Sequence, residues 1–138
     1  MIPAINRLMI RPTLGRSVKL GPEDRISIEF ANRLRVWTIE RRLRGVWTHV
    51  ANEVGGGTKN AMIRYAVAKA LGMIPGCSDF IFMWDSGSAA IEMKAPRGVQ
   101  NDNQSDFQKW CEAEGVPYFI AKSADEAEQI LLSLGILK

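Results

Sequence analysis

The sequence predicts one α/β domain, a small sheet flanked by helices in the order αβαββαβα. Three observations predict it. A chain of 138 residues, 46% of them hydrophobic and 24% charged, suits a single core. Stretches with apolar residues at helical spacing alternate with short runs of β-formers. Two such runs flank Asp85, Ser86, Gly87 and Ser88, a turn-forming composition, and read together as a β-hairpin, so part of the sheet is antiparallel.

The elements follow in order. Residues 1–21 hold no sustained period and contain Pro3, Pro12 and Gly15, which predicts a basic arm with at most short structure ahead of a domain over residues 22–138. From Pro22, suited to a first helical turn, to about Gly45 there is no further Pro or Gly, and Ile26, Phe30, Leu34 and Trp37 recur at helical spacing. Residues 46–50 read as a strand. A second helix is expected from about Asn60, a good N-cap, to Leu71, with Gly72 closing it. Residues 80–84 and 89–93 form the hairpin strands. A third helix carries Gln104, Phe107, Trp110 and Cys111 and ends before Gly115 and Pro117. Residues 118–121 make a last strand, and Ser123 with Glu126 three residues on is a capping box for a final helix.

Composition excludes several classes. No apolar run reaches the ~18 to 20 residues of a membrane span, and Arg7 interrupts the apolar start, so neither insertion nor export is expected. Cys77 and Cys111 are too few for a disulfide scaffold and lack zinc-site spacing, which fits reduced thiols in a cytoplasmic setting. The net charge of +3 is unevenly spread: residues 1–44 hold ten Lys/Arg and four Asp/Glu, with no acid before Glu23. Such asymmetry suits a polyanion such as nucleic acid, or alternatively a solvated helix face.

The chemistry-bearing stretch is Pro75, Gly76, Cys77, Ser78 and Asp79, followed by Glu92, Met93 and Lys94. On a strand Glu92 and Lys94 share one face, and Met93 takes the other. If Trp84 pairs with Ala89, Lys94 lies opposite Asp79 and Glu92 on the diagonal, about 5 to 8 Å away. Two converging carboxylates are what Mg²⁺ needs, and the lysine can orient or help deprotonate an attacking water, an arrangement for hydrolysing a phosphodiester. The alternative is a surface hairpin with an exposed Lys94 ion pair, worth ~0 to 1 kcal/mol.

Over most of residues 23–136 the sequence resembles a standalone VRR-NUC domain of the PD-(D/E)XK, or restriction-endonuclease-like, nuclease superfamily. The stretches that carry the resemblance are 46–53 (VWTHVANE), 71–79 (LGMIPGCSD), 91–96 (IEMKAP), 104–110 (QSDFQKW) and the tail 115–123. It implies that Asp79 and Glu92 are metal ligands, that the Met93 backbone carbonyl also faces the metal, that Lys94 is the catalytic lysine and that Gln104 is the helix glutamine near the site. One departure stands out: the Pro-Asp of the family is Ser78-Asp79 here, which removes a stiffening residue but keeps the carboxylate.

The family also uses an acid of the first helix. Glu23, Glu29 and Glu40 are available, with Glu23 in a frayed first turn. Matching the distance that the family keeps between this acid and the first strand, here at Trp47, the resemblance implies Glu29, with Glu40 second; the alternative for either is a glutamate paired with Arg25 or Arg33. Gln104 shares a face with Phe107 and Cys111, so it should face the sheet and could hold a water or a scissile phosphate, or merely satisfy local backbone groups.

His49, the one histidine, suits a DNA contact or a core imidazole. The run Gly55, Gly56, Gly57, Thr58, Lys59 does not match the phosphate-loop pattern G-x-x-x-x-G-K-[ST] and is expected to be a loop whose amides and Lys59 approach a DNA backbone. Cys77 has no adjacent base and reads as a packed side chain. Trp37, Trp47, Trp84 and Trp110 read as core.

These features and the resemblance imply an Mg²⁺- or Mn²⁺-dependent DNA endonuclease. It would leave 5′-phosphate and 3′-hydroxyl ends, act on branched DNA as Holliday-junction resolvases do, and work as a homodimer of phage or bacterial origin. A different class of reading is a non-catalytic DNA-binding or assembly module that keeps the nuclease fold. A small α/β nucleotide enzyme is disfavoured by the lack of a phosphate-loop fingerprint.

Overall fold

The computed structural model describes residues 2–51 and 58–138. The glycine run at 55–57 lies outside them. Within the arm a five-residue helix forms, α1 (Ala4–Leu8), and Pro12 and Gly15 follow in chain without helix or strand up to Gly21. Helix α2 (Pro22–Ile39) begins where Gly21 takes an extended backbone and Pro22 sits at N1, where its missing N–H leaves no partner unsatisfied. Its apolar stripe buries Phe30, Leu34 and Trp37 completely or nearly so.

The sequence expects this helix to reach about Gly45, and it ends at Ile39. Arg41 adopts φ 61°, and the N–H groups of Arg42 and Leu43 both donate to the Trp37 carbonyl at 2.8 and 3.2 Å. The chain then pairs with its own C-terminus, Leu43 bridging Leu137 and the Arg44 N–H donating to Ile136 at 2.8 Å. This partner is distant in sequence, so local propensity carries no sign of it.

Strand β1 (Val46–His49) precedes helix α3 (Lys59–Ala70). The N-cap of α3 is Thr58, not Asn60: the Thr58 hydroxyl accepts the Ala61 N–H at 3.1 Å. Next come β2 (Phe80–Trp84), β3 (Gly87–Met93), α4 (Asp102–Ala113), β4 (Tyr118–Ala121) and α5 (Ala124–Ser133). The sheet order is β1-β2-β3-β4, antiparallel except for the parallel β3–β4 pair.

The hairpin register differs from expectation. Trp84 pairs with Gly87 and Phe80 with Ile91, so Asp85 and Ser86 alone make the turn. A slip of two residues keeps every side chain on its face. Glu92 and Lys94 therefore stay together, but extending the register by one pair sets Asp79 across from Glu92 rather than from Lys94.

Helices α2 and α5 cover one face of the sheet. Phe30 meets Phe80 edge-on at 5.0 Å between ring centroids, and Phe82, Ile91, Met93, Ala127 and Leu131 fill the space around them. The opposite face, carrying Glu92 and Lys94, receives α4: Phe107 lies 6.3 Å from Tyr118, and Gln104 reaches Glu92. Trp37 is buried, Trp47 and Trp84 are half-buried, and Trp110 is exposed, at the edge of Phe107, so Trp110 is not core as the sequence suggested. Ser123 caps α5 by accepting the Glu126 N–H at 3.0 Å, while Glu126 returns its carboxylate to the Lys122 N–H, one residue earlier than a closed capping box requires.

Candidate active site

The approach to β2 is fixed by close packing. Gly76 adopts φ 84°, and a Cβ there would lie 2.2 Å from the backbone of Asn103, so only glycine lets this turn rest on the start of α4. The next residues lead directly to Asp79. Its carboxylate Oδ2 accepts the Met93 N–H at 2.7 Å, which ties the end of β3 to the entry of β2. Within a strand one residue's N–H and C=O point to the same edge, so the Met93 carbonyl is directed to the side on which Asp79 lies. Ser78, where the family pattern has proline, is fully buried, and its hydroxyl donates to the Phe80 carbonyl at 3.3 Å.

Glu92 and Lys94 occur in the sheet interior because β3 is central and continues beyond Met93, the Lys94 N–H donating to Ala121 at 2.9 Å. Both are buried, at 1% and 7% exposure. Glu92 Oε1 accepts from Gln104 Nε2 at 3.2 Å. Gln104 also closes a capping box with Asn101: its N–H donates to Asn101 Oδ1 at 2.9 Å and its Oε1 accepts the Asn101 N–H at 3.0 Å. The Gln104 amide oxygen thus satisfies the backbone at the helix start, as the second reading expects, and its nitrogen donates to Glu92.

The helix acid in the cluster is Glu23. Its Oε1 lies 3.8 Å from Lys94 Nζ, and Glu23, Asp79 and Glu92 each offer one carboxylate oxygen within 4.8 Å of the others. The structure brings neither Glu29 nor Glu40 to this place. Glu29 is half-exposed and pairs with Arg33 at 3.0 Å, and the same guanidinium reaches Asp125 and Glu128 on α5 at 2.8 and 3.3 Å. Glu40 pairs with Arg42 at 3.4 Å at the surface. The physical reason is angular. At about 100° per residue, Glu23 falls within about 20° of Phe30 and continues the buried stripe, whereas Glu29 lies about 100° away from it. The sequence carries that signal, and the turn is not frayed as the sequence predicts: Pro22 at N1 and Gly21 at the N-cap order it.

Electrostatics single out Glu92. Burial, reinforced by the neighbouring Asp79 and Glu23 carboxylates and only partly opposed by Lys94, pushes its pKa up to about 9. Its second oxygen, Oε2, is buried with no hydrogen-bond partner. A buried carboxylate oxygen without a donor is costly unless a proton or a cation meets it. Three oxygen donors that close together, one of them orphaned, fit a hard divalent cation such as Mg²⁺.

The other singled-out residues lie around this centre. Burial raises the phenol pKa of Tyr118 above its ordinary value, and Gln100 Nε2 donates to its hydroxyl at 3.1 Å. No motif in the sequence points to either residue. His49 is exposed on β1, its ring 5.3 Å from Phe80, so it is not a core imidazole. Cys77 is half-buried, and burial raises its thiol pKa, the opposite of what a nucleophile needs. Among the described residues no helix is long and apolar enough to cross a membrane.

No protein-family model and no curated protein matches the sequence. Among solved structures the chain is similar to one described as a "VRR_NUC domain protein", with a TM-score of 0.62 and 17% identity over 88% of this chain and 94% of that one. The mixed four-stranded sheet with its flanking helices thus has the VRR-NUC fold.

Proposed function

We propose that this chain is a divalent-metal-dependent DNA endonuclease. The observation that carries the reading is the convergence of Glu23, Asp79 and Glu92 beside Lys94, with one buried carboxylate oxygen of Glu92 receiving no hydrogen bond from a donor group of the chain. Asp79, Glu92 and Glu23 would hold Mg²⁺ or Mn²⁺, with the Met93 carbonyl a further candidate. A cation there would supply positive charge to the phosphate oxygens as the phosphorus is attacked.

The remaining roles fall to the chain's own groups. Lys94 positions the attacking water, whose oxygen forms the new bond to phosphorus while the bond to the 3′ oxygen breaks. The ends are a 5′-phosphate and a 3′-hydroxyl, the water having given up one proton and the 3′ oxygen having gained one. Gln104 holds Glu92 in place, and the Met93 N–H holds Asp79. The basic first 44 residues suit the phosphate backbone of DNA.

The finer reading is a homodimer acting on branched DNA in a bacterial or phage-infected cytoplasm, since symmetric cutting of a junction calls for two sites related by a two-fold axis. The test is cleavage of labelled linear duplex, single strand, flap and four-way junction with Mg²⁺, Mn²⁺ or EDTA, beside sedimentation at micromolar concentration. Metal-dependent cutting with a preference for branched substrates and a dimeric mass is expected. Folded protein that binds DNA and cuts none of these would replace the reading with a non-catalytic DNA-binding module, and a monomer that cuts junctions would remove the dimer.

A further inference from the structure

The loop from Ala95 to Asn101 runs from Lys94 to the N-cap of α4, so it connects two parts of the candidate active site. It is tied to the β4 side of the sheet near both ends. Lys122, which follows β4, donates from Nζ to the Pro96 carbonyl at 3.1 Å, and Gln100 Nε2 donates to the Tyr118 hydroxyl at 3.1 Å. Between these ties the Gly98 N–H donates to the Ala95 carbonyl at 2.8 Å. A Cβ on Gly98 would lie 3.5 Å from Lys94 Cδ, so this turn rests on the stem of the lysine.

We propose that Tyr118, acting through Gln100, is a positioning residue for Glu92. The inference rests on the nuclease reading and adds to it a residue outside the cluster of carboxylates and lysine. The route is a chain of hydrogen bonds. The Tyr118 hydroxyl holds Gln100, and the next residue, Asn101, donates its N–H to Gln104 Oε1 at 3.0 Å. That bond leaves Gln104 Nε2 to donate to Glu92 Oε1 at 3.2 Å. With its oxygen engaged by the helix start, the amide turns its donor end to Glu92; turned over, it would set an acceptor against the carboxylate and repel it.

Tyr118 is itself well fixed. It pairs with Ala90 of β3, the strand that carries Glu92, and its ring lies 6.3 Å from Phe107 of α4. The start of α4 also rests on Gly76, where a Cβ would meet the Asn103 backbone. The Gly76 contact and the bond from Gln100 to Tyr118 therefore both set where the first turn of α4 lies, and with it Gln104. A ligating carboxylate needs such outer partners to keep one orientation, and their loss weakens metal binding although they touch no metal.

The experiment is calorimetry of Mn²⁺ binding to the full chain, with steady-state cleavage of the best DNA substrate in parallel. Wild type is compared with Tyr118→Phe, Gln100→Ala, Gln104→Ala and the double variant Tyr118→Phe/Gln104→Ala. Tyr118→Phe removes one oxygen and keeps the ring against Phe107. It should weaken Mn²⁺ binding and lower kcat, each roughly three- to tenfold, the scale of one lost hydrogen bond, with KM for DNA unchanged. Gln100→Ala should do the same, and decides the matter if Tyr118→Phe does not fold. Gln104→Ala should cost roughly 10- to 100-fold, and adding Tyr118→Phe to it should cost nothing more, because the route to Glu92 is already cut.

A folded Tyr118→Phe protein with wild-type Mn²⁺ affinity and kcat, whatever its Tm, overturns the proposal and leaves the nuclease reading standing. So does a loss that adds in full to that of Gln104→Ala. A wild-type protein that binds Mn²⁺ and cuts no DNA overturns the nuclease reading, while the calorimetric comparison still decides the role of Tyr118. A wild-type protein that binds no Mn²⁺ overturns both.

Discussion

The Asp79 carboxylate accepts the Met93 N–H at 2.7 Å, so a candidate metal ligand from the entry of β2 is fixed by the backbone between two other site residues, Glu92 and Lys94. The contact depends on the register in which Phe80 pairs with Ile91. It leaves Asp79 Oδ1 for a cation and makes the position of that oxygen a property of the hairpin rather than of a mobile side chain.

Glu23, not Glu29, should govern metal affinity. Glu23→Gln is expected to weaken Mn²⁺ binding by calorimetry at least as much as the roughly 10- to 100-fold typical of losing an outer-shell partner, because it removes one of three converging oxygens. Glu29→Gln should leave the affinity unchanged, since Glu29 serves the Arg33 ion pairs between α2 and α5. Equal effects of the two substitutions would contradict the assignment.

The stability of the metal-free protein should fall as pH rises. The folded pKa of Glu92 is raised to about 9 from an ordinary 4.5, first by burial and then by Asp79 and Glu23, with Lys94 pulling it down. A raised folded value means the contribution is fully present below pH 4.5 and is lost progressively toward pH 9. Thermal unfolding in EDTA should show Tm declining across this window. Glu92→Gln should flatten the decline, and Mn²⁺ should raise Tm more at the alkaline end; a Tm that does not respond to Glu92→Gln at any pH would refute this.

Phe30 anchors α2 to the sheet, fully buried and edge-on to Phe80. Phe30→Ala should cost about 3 to 5 kcal/mol in urea unfolding, a large share of the roughly 5 to 15 kcal/mol that holds a domain of this kind together. A loss below 1 kcal/mol would mean that α2 is not held by this stripe.

Much of this fold is legible in the sequence, for reasons that can be located. The strands at 80–84 and 118–121 are recognisable because their apolar runs are bounded by turn residues, and α5 because Ser123 starts it. What local pattern could not supply was pairing. The two-residue slip of the hairpin keeps every face and so leaves no trace in the alternation, and the early end of α2 depends on the C-terminal Ile136 and Leu137.

The site was legible in part for the same reason. Asp79, Glu92, Lys94 and Gln104 come together because two of them share a strand face and the others flank it. Helical arithmetic places Glu23 on the buried stripe, but the order of its turn comes from Gly21 and Pro22 rather than from Glu23 itself, so the sequence reads that turn as frayed. The orphaned Glu92 oxygen and the raised Tyr118 phenol arise from burial, which no residue pattern states.

The most direct test of the central claim is cleavage by wild type, Asp79→Ala and Lys94→Ala on the best substrate of the panel, in Mn²⁺ and in EDTA, with circular dichroism confirming that each variant is folded. The account predicts wild-type cutting only with metal, and a fall of about 10² to 10⁴-fold or more for each folded variant. Cleavage that persists in both variants, or that survives EDTA, would contradict it.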